Sequence, residues 1–257
     1  MVIGSKLYRT KECANSMAWA KEHIIDAPDG SVFLADTMLK ARGRQDRVWK
    51  LYPGQLLLTL LLKPKLLHAV GFDDIPVRLN QLNMAISVGI AKALEPYGVG
   101  IKWPNDFVVG DNEACLKKIG GLLAHVVWQN NFPAGIIIGF GINVNTQIAA
   151  TDDLYQTATS LAMATGKDLD MRAVYHDLLE KLDRMYTLWE DKQFSQIYRQ
   201  WKAQQVCLGK KITIHQKDGA VISGVMSQVL PNGDMLMTVL GKVQIIPFCI
   251  VSDVQAG

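Results

Sequence analysis

The chain has 257 residues, of which 49% are hydrophobic, and 27 Lys and Arg against 24 Asp and Glu leave a formal net charge of +3. This length accommodates one large domain, or one of about 200 residues with a small additional domain. The balanced charge argues against a nucleic-acid-binding protein, and the longest apolar run, residues 56–62, is too short to span a bilayer. Charged and polar residues interrupt the N-terminal region, and the four cysteines lack metal-ligand or redox spacing. We therefore expect a cytoplasmic protein with free thiols.

Hydrophobic periodicity and turn residues predict a mixture of helices and strands through the first 206 residues. A breaker containing proline and glycine, at residues 96–98, follows the second predicted helix, and residues 146–170 have the character of a loop. The predicted elements are, in chain order, a helix at 15–25, buried strands at 31–36 and 55–63, a helix at 78–94, a buried strand at 135–142, and helices at 171–189 and 194–205.

The residue pattern changes after Cys207. Short apolar segments at 211–215, 220–230, 235–240 and 244–250 are separated by tight-turn signals such as Asn232-Gly233. About fifty residues of this kind are typical of a small β-barrel. We therefore predict a first domain at residues 1–206 and a second, β-barrel domain at residues 207–257.

The most informative segments are KWPND at residues 102–106 and KIGG at residues 118–121. A proline ends the first short apolar run, and the runs at 107–109 and 119–127 are separated by a polar turn at 110–113. Two lysines, an amide, a carboxylate and a glycine pair at the mouth of one hairpin suit an anionic, hydrogen-bonding substrate. Either segment alone could equally be an ordinary solvated hairpin.

Residues 40–49 form a second candidate site, because the apolar pattern disappears there and three arginines surround a glycine. Guanidinium groups match phosphate oxygens in fork geometry and remain charged. Gly43 permits close approach of the backbone and the motion of a closing flap, and Trp49 could stack on a base. Taken alone, the segment could also be a basic surface loop. It is neither a Walker loop nor a GxGxxG fingerprint.

The strand predicted at 135–142 ends in a third candidate segment, Gly139-x-Gly141-x-Asn143. Small residues there make room for a flat ligand, and Asn143 could hydrogen-bond to an adenine edge. No Ser-His-Asp or Cys-His arrangement follows from the spacing. Cys13 and Cys115 are interpreted as inert thiols.

The order of these three segments resembles that of the biotin protein ligases, within the biotin/lipoate ligase superfamily. Residues 41–49 resemble the family's GRGRRGRxW loop, 102–106 match its KWPND, 118–123 its KxxGIL-type strand, and 139–145 its GxGxN segment. The resemblance implies an α+β fold, with a mixed β-sheet and packed helices like class II synthetases, followed by an SH3-like β-barrel. The DNA-binding N-terminal domain of repressor-type members is expected to be absent, because the pattern begins almost at Met1.

The resemblance also implies a two-step reaction with biotin, ATP and Mg²⁺. Biotinyl-AMP forms first, and a lysine of a biotin carboxyl-carrier protein then takes the biotinyl group. Lys118 is expected at the reacting carboxylate and phosphate oxygens, and Trp49 at the adenine. No metal ligands are assigned, no DNA or membrane partner is expected, and a homodimer is possible. By this resemblance, catalysis is assigned to Lys118, Arg44, Lys102 and Asp106; biotin or acyl binding to Cys13, Ala14, Asn15, Met38, Arg42, Lys118, Gly120 and Gly121; nucleotide binding to Arg42, Arg44, Arg47, Trp49, Asn105 and Asn143.

The ring-binding half of the site departs from the family pattern. An early Ser-Thr-Asn segment that holds the ureido ring aligns with Cys13-Ala14-Asn15, and a ureido-binding glutamine aligns with Met38. In the arginine loop, Gln45 and Asp46 replace arginine and glycine, and residue 41 is alanine instead of glycine. Each lost hydrogen bond could forfeit about 1–1.5 kcal/mol of binding energy.

Three alternatives to a biotin ligase are considered, the first two because of these departures. The pocket could accept lipoate or another small carboxylic acid, or the chain could be a non-catalytic ligand-binding homologue. Retention of Lys102, Asn105, Asp106 and Lys118 argues against a non-catalytic protein. A DNA-binding repressor is the weakest alternative, because the charge is balanced.

Overall fold

A seven-stranded mixed sheet forms the centre of the protein, for which the computed structural model describes residues 1–65, 71–110 and 116–256. The strand order is β1-β2-β5-β9-β8-β7-β6; β1 and β2 run parallel, whereas the other neighbours are antiparallel. The remaining two strands, β3 and β4, form a separate hairpin. The first nine strands are β1 (Leu7–Cys13), β2 (Ser31–Met38), β3 (Ala41–Arg42), β4 (Val48–Trp49), β5 (Gln55–Leu62), β6 (Gly100–Lys102), β7 (Asp106–Val109), β8 (Lys117–Gln129) and β9 (Phe132–Asn143).

Helices cover both faces of this sheet. Because successive side chains of a strand point to opposite faces, Leu60 and Ile138 join one buried cluster, whereas Leu61 and Ile137 join another. The first cluster contains residues of α2, α4 and α5, and the second contains residues of α1. The described helices are α1 (Ser16–Glu22), α2 (Ile75–Ala93), α3 (Leu161–Thr165), α4 (Met171–Glu190) and α5 (Phe194–Ala203).

The predicted helices are confirmed with small shifts at their ends. Asn15 lies outside α1 as its N-cap, where its side chain accepts a hydrogen bond from the Ala18 amide. The prediction that residues 146–170 are entirely loop is wrong, because α3 occupies Leu161–Thr165 with Ser160 as its N-cap. This helix has only five residues, too few for hydrophobic periodicity to reveal it.

The predicted strands are also present, but β1 was not predicted. It is an edge strand whose side chains are mostly exposed or half-buried, so it lacks a buried apolar run. The apolar run at 56–62 lies within β5 in the interior of the sheet. Among the described residues, no helix is long and apolar enough to cross a membrane.

Residues 211–256 form a second sheet of five antiparallel strands, as expected of an SH3-like domain, in the order β13-β12-β11-β10-β14. The predicted strand at 244–250 is wrong in its extent. Pro247 interrupts it, a 3-10 turn follows at Phe248–Ile250, and a further strand that was not predicted comes next. The domain boundary at residue 206 stays a prediction. The strands are β10 (Lys211–Gln216), β11 (Val221–Val229), β12 (Met235–Val239), β13 (Lys242–Ile246) and β14 (Val251–Ala256).

Candidate active site

A cavity opens over the face of the sheet that carries α1. Its floor comes from alternate residues of adjacent strands, with Gly121 of β8 opposite Gly141 of β9 and Leu123 opposite Gly139. The N-terminal end of α1, the arginine loop (residues 41–49), the turn at residues 102–106 and strand β14 surround this floor. The three candidate segments of the sequence analysis therefore meet at one cavity.

The glycines of the floor provide the space that the cavity occupies. A Cβ atom on Gly139 would lie 2.6 Å from Met17 Sδ, and one on Gly141 would lie 3.2 Å from Trp49 Cζ2. A Cβ atom on Gly121 would lie 3.2 Å from Asp106 Oδ1. Since real Cβ atoms rarely tolerate such distances, larger residues here would displace the walls of the cavity.

Lys118 and Asp106 form an ion pair at the floor of the cavity, with 2.6 Å between Nζ and Oδ1. The side chains are 37% and 22% exposed, so both remain accessible to a ligand. The Lys118 ammonium also lies 5.4 Å from the ring centroid of Trp49. This arrangement places one mobile cation, one carboxylate and one aromatic ring around a single point.

A β-bulge directs Lys118 into the cavity. The pairing of β7 with β8 shifts between Phe107 and Val108, which face Gly120 and Lys118, so Ile119 is the extra residue. Regular alternation would place Lys118 and Gly121, three residues apart, on opposite faces. The bulge changes this phase, so that Ile119 is fully buried in the core whereas Lys118 faces Asp106.

Successive residues of β8 face opposite sides of the sheet, and this places the two glycines that were predicted to bind the acyl group on different faces. Gly121 lines the cavity, but a Cβ atom on Gly120 would lie 2.6 Å from Ile142 Cδ1 and 2.7 Å from the Gly141 carbonyl oxygen. Gly120 therefore faces the core. The structure brings Gly121 to the site and keeps Gly120 away from it.

The arginine loop forms a small hairpin over the cavity. Ala41 pairs with Trp49, and the Gly43 amide donates to the Arg47 carbonyl at 2.8 Å. Arg42, Gly43, Arg44, Arg47 and Trp49 line the cavity, whereas their predicted roles in ligand binding stay predictions. Lys102, Asn105 and Asp106 of the 102–106 turn also line it.

The C-terminal sheet holds this loop in place. Arg44 Nη2 donates to the Val251 carbonyl at 2.9 Å, and its guanidinium lies 4.7 Å from the Phe248 ring centroid. The Gln45 amide donates to the same carbonyl at 3.0 Å. Burial lowers the pKa of Arg44, an effect that the nearby Asp106 carboxylate opposes. Gln45, one of the departures from the family pattern, thus attaches the loop to β14.

Strand β14 also contributes Ser252, Asp253 and Val254 to the cavity wall. The Asp253 carboxylate lies 3.9 Å from the Arg47 guanidinium. Sequence reasoning missed these residues because it placed no strand after residue 250, and nothing in their local pattern marks a binding site. Met17 was missed as well, although it sits on the helix that follows the predicted ring-binding segment.

The predicted ring-binding residues are only partly brought together. Asn15 and Met38 line the cavity, whereas neither Cys13 nor Ala14 is among its described lining residues. The Asn15 amide donates to the Lys40 carbonyl at 3.0 Å, and Met38 Sδ accepts from the Ser16 amide at 3.3 Å. A thioether therefore occupies the position where the family pattern has a glutamine amide.

Asn143 does not line the cavity. Its side chain is buried, donates to the Thr159 carbonyl at 3.0 Å and accepts from the Gln55 amide at 3.0 Å. Its predicted contact with adenine stays a prediction. Cys115 and the turn predicted at 110–113 lie partly or wholly outside the described residues.

Among the described residues, no group of three His, Cys, Asp or Glu side chains could hold a metal ion. The cavity nevertheless carries the Asp106 carboxylate beside its phosphate-binding candidates. Mg²⁺ is commonly held by one or two carboxylates together with substrate phosphates and waters. The residues present thus fit a Mg²⁺ ion that arrives with a nucleotide better than a preformed metal centre.

The docking of the loop can be tested with Gln45→Ala. This change removes one hydrogen bond, about 0.5–1.5 kcal/mol, so the loop should open about two- to tenfold more often. We expect tryptic cleavage after Arg44 and Arg47 to accelerate by that factor, measured by peptide mass spectrometry. Gln255→Ala, on the same strand, should leave the rate unchanged. Equal cleavage of Gln45→Ala and the unmodified protein would contradict the docking.

Comparisons with known proteins identify the family to which this chain is similar. Residues 8–143 match the biotin/lipoate A/B protein ligase family. The bifunctional ligase/repressor BirA of Bacillus spizizenii is 29% identical over 224 residues, which cover 85% of this chain and 62% of that protein. The biotin--[acetyl-CoA-carboxylase] ligase of Mycobacterium tuberculosis is 24% identical over 226 residues, 85% of this chain and 77% of that protein.

A solved structure extends the similarity to nearly the whole chain. Biotin protein ligase from Aquifex aeolicus, in complex with biotin and ATP, matches with a TM-score of 0.79 and 25% identity, covering 98% of this chain and 100% of that chain. In contrast, this chain spans less than two thirds of the Bacillus relative. Because the family match takes in more than half of the residues, this chain belongs to the biotin/lipoate A/B protein ligase family.

Proposed function

We propose that this chain is an ATP-dependent biotin protein ligase that forms biotinyl-AMP and transfers the biotinyl group to a lysine of a biotin carboxyl-carrier protein. The observation that carries the proposal is the Lys118–Asp106 pair on a glycine floor, opposite three arginines of one loop. The similarity to an Aquifex aeolicus ligase in complex with biotin and ATP supports the choice of substrates.

The first step joins two anions. A carboxylate oxygen of biotin attacks the α-phosphorus of ATP, the bond to the β-phosphate oxygen breaks, and pyrophosphate leaves. No covalent enzyme intermediate is required, so catalysis depends on positioning and on stabilisation of charge. Lys118 lies where its ammonium can leave Asp106 for the substrate oxygens, and Arg42, Arg44 and Arg47 surround the cavity to receive phosphates.

In the second step, the uncharged amine of the acceptor lysine attacks the acyl carbon of biotinyl-AMP. An amide bond forms, AMP leaves, and the amine loses a proton. Trp49, packed beside Gly141, offers an aromatic face to the nucleotide base. Of the two carboxylates among the described residues of the cavity, Asp106 and Asp253, Asp106 would hold a Mg²⁺ ion that arrives with ATP, and the ion would supply neutralisation of phosphate charge.

A ligase for a different small carboxylic acid is the second candidate, and Met38 is the observation that favours it. Its Sδ atom accepts from the Ser16 amide, and Ser16 Oγ is paired with Thr59 Oγ1 at 2.8 Å. Groups that could bind a ureido ring are thus occupied within the protein. An acid with a less polar ring, such as lipoate, would lose less binding energy here.

We expect Met38→Gln to strengthen biotin binding. A restored amide that pairs with the ureido group contributes about 1–1.5 kcal/mol, roughly a five- to twelvefold lower Kd by isothermal titration. Lipoate binding should not strengthen in the same variant, which serves as the control. No heat with biotin for either protein, together with clear lipoate binding, would favour the second candidate.

A mass spectrum of a carrier protein tests the function directly. After incubation with this protein, ATP, Mg²⁺ and biotin, we expect the mass of a biotin carboxyl-carrier domain to increase by one biotinyl group. ATP–pyrophosphate exchange at saturating biotin separates an enzyme from a non-catalytic homologue. The absence of DNA binding, the possible homodimer and the cytoplasmic location remain predictions.

A further inference from the structure

A dense set of polar contacts lies at the residue that directly follows the arginine loop. Lys50 Nζ lies 2.9 Å from Asp152 Oδ1 and 2.7 Å from Asp153 Oδ1. The Tyr52 hydroxyl donates to Asp152 Oδ2 at 2.8 Å, and the Leu154 amide donates to Asp152 Oδ1 at 2.9 Å. Hydrogen bonds to the two carboxylates raise the pKa of Lys50, and the bond to Asp153 has the larger effect. Asp152 thus receives three donors, whereas Asp153 pairs with Lys50, also interacts with Asp152, and is 79% exposed.

A second series of contacts, made of hydrogen bonds, begins at the backbone carbonyl of Lys50. The Gln55 amide donates to the Lys50 carbonyl at 3.1 Å and to Asn143 Oδ1 at 3.0 Å. The Asn143 amide continues this series by donating to the Thr159 carbonyl at 3.0 Å. Asn143 is 5% exposed, so its contact with Thr159 is shielded from water, whereas the contact of Gln55 with Lys50 is exposed. Two sets of polar contacts therefore connect Lys50 to the segment at residues 152–159, one through its side chain and one through its backbone carbonyl.

This segment holds the backbone of Lys118. The Lys118 amide donates to the Thr157 carbonyl at 2.9 Å, and the Lys118 carbonyl accepts from the Thr159 amide at 2.9 Å. Lys118 also bridges to Ala158 in parallel orientation. Lys118 lies opposite Val108 of β7, but both of its backbone groups pair with the 157–159 segment.

We infer that Asp152 and Gln55 are positioning residues that fix Lys118 for adenylate formation by tying the 152–159 segment to the end of the arginine loop. The inference rests on the proposed function, in which Lys118 contacts the reacting oxygens. A small displacement of such a group is costly, since about 1 Å of misplacement can reduce a rate by about a hundredfold. Asn143 acts in this arrangement as the link between Gln55 and Thr159.

Asp152→Asn tests the side-chain contacts, with Asp153→Asn as the matched control. The asparagine keeps an acceptor for the Leu154 amide but loses one of the two charges that bind Lys50, the one that also receives Tyr52. We expect kcat for pyrophosphate release to fall about tenfold, while KM for biotin and for ATP stays within about twofold. Asp153→Asn should retain kcat, and the Tm of both variants should match that of the unmodified protein.

Hydrogen exchange supplies a readout that does not depend on the substrate. We expect the amides of Lys118 and Thr159 to exchange at least about tenfold faster in Asp152→Asn and in Gln55→Ala, but not in Asp153→Asn. Unchanged exchange in the first two variants overturns the inference. A raised KM with unchanged kcat also overturns it.

The exchange measurement keeps the two proposals distinguishable. If the unmodified protein forms no adenylate from biotin, the proposed function fails, and the exchange rates still decide whether the contacts hold Lys118. Combining Asp152→Asn with Gln55→Ala gives a further check. Because both act on one segment, the double variant should lose less than the product of the single losses in kcat. Fully multiplicative losses would contradict a shared target.

Discussion

Lys118→Ala is expected to reduce adenylate formation to a small residual rate. The substitution removes the ammonium that pairs with Asp106 at 2.6 Å and leaves this carboxylate without its partner beside two anionic substrates. Loss of one charged contact to the reacting oxygens costs on the order of 2–4 kcal/mol, about 30- to 900-fold in rate. The unpaired carboxylate adds repulsion to this loss. Pyrophosphate release at saturating biotin and ATP measures the effect.

Lys117→Ala is the matched control for this prediction. Lys117 precedes Lys118 on the same strand, but its ammonium donates to the Tyr155 carbonyl at 2.9 Å and lies over the Tyr155 ring. It is not among the described residues of the cavity wall. We expect this variant to retain pyrophosphate release within about threefold, because it removes a single half-buried hydrogen bond and leaves the backbone contacts of Lys118 with Thr157 and Thr159 in place. Release by Lys118→Ala at the rate of the unmodified protein would refute the role of Lys118.

The central fold was predictable because its signals are local. The apolar run of β5 and the helical periodicity of α2 are contained within single elements. Edge strand β1 and the five-residue helix α3 were missed because they lack such a local signal. Exposed or half-buried side chains and short length remove the pattern on which prediction depends.

The residues that belong to the site were easier to predict than the directions in which their side chains point. Lys118 and Asp106 were expected together, since a short hairpin brings their segments into register. The bulge that turns Lys118 into the cavity has no local signature, because it depends on how β7 pairs with β8. The docking of Arg44 on Val251 joins residues 207 positions apart, a contact that no local pattern encodes.

The two adjacent glycines of β8 provide the second prediction with a large effect. Gly121→Ala is expected to reduce kcat/KM for adenylate formation by about 10- to 100-fold without unfolding the protein. Its Cβ atom would lie 3.2 Å from Asp106 Oδ1 and 3.5 Å from Lys118 Cε. These atoms can move by a few tenths of an ångström, which preserves the fold but disturbs the ion pair. We expect Tm to stay within about 2 °C in thermal unfolding.

Gly120→Ala should show the reverse pattern and is the matched control. Its Cβ atom would lie 2.7 Å from the Gly141 carbonyl oxygen, which belongs to the neighbouring strand β9 and cannot move alone. Overpacking of this kind costs about 3 kcal/mol or more in the free energy of unfolding, which lowers Tm by roughly 6–12 °C in a chain of this size. Below its Tm, the folded fraction should retain most of its activity, because Gly120 faces the core.

The two variants distinguish a residue that lines the cavity from a residue that packs in the core, at consecutive positions of the chain. The family pattern assigns both glycines to the acyl ligand, whereas the pleat of β8 places Gly121 at the cavity and Gly120 against Ile142. An equal loss of activity in both variants, with Tm unchanged in both, would contradict this assignment. If Gly121→Ala lowered Tm as much as Gly120→Ala, the side chain at position 121 would face the core. Gly121 would then not belong to the floor of the cavity.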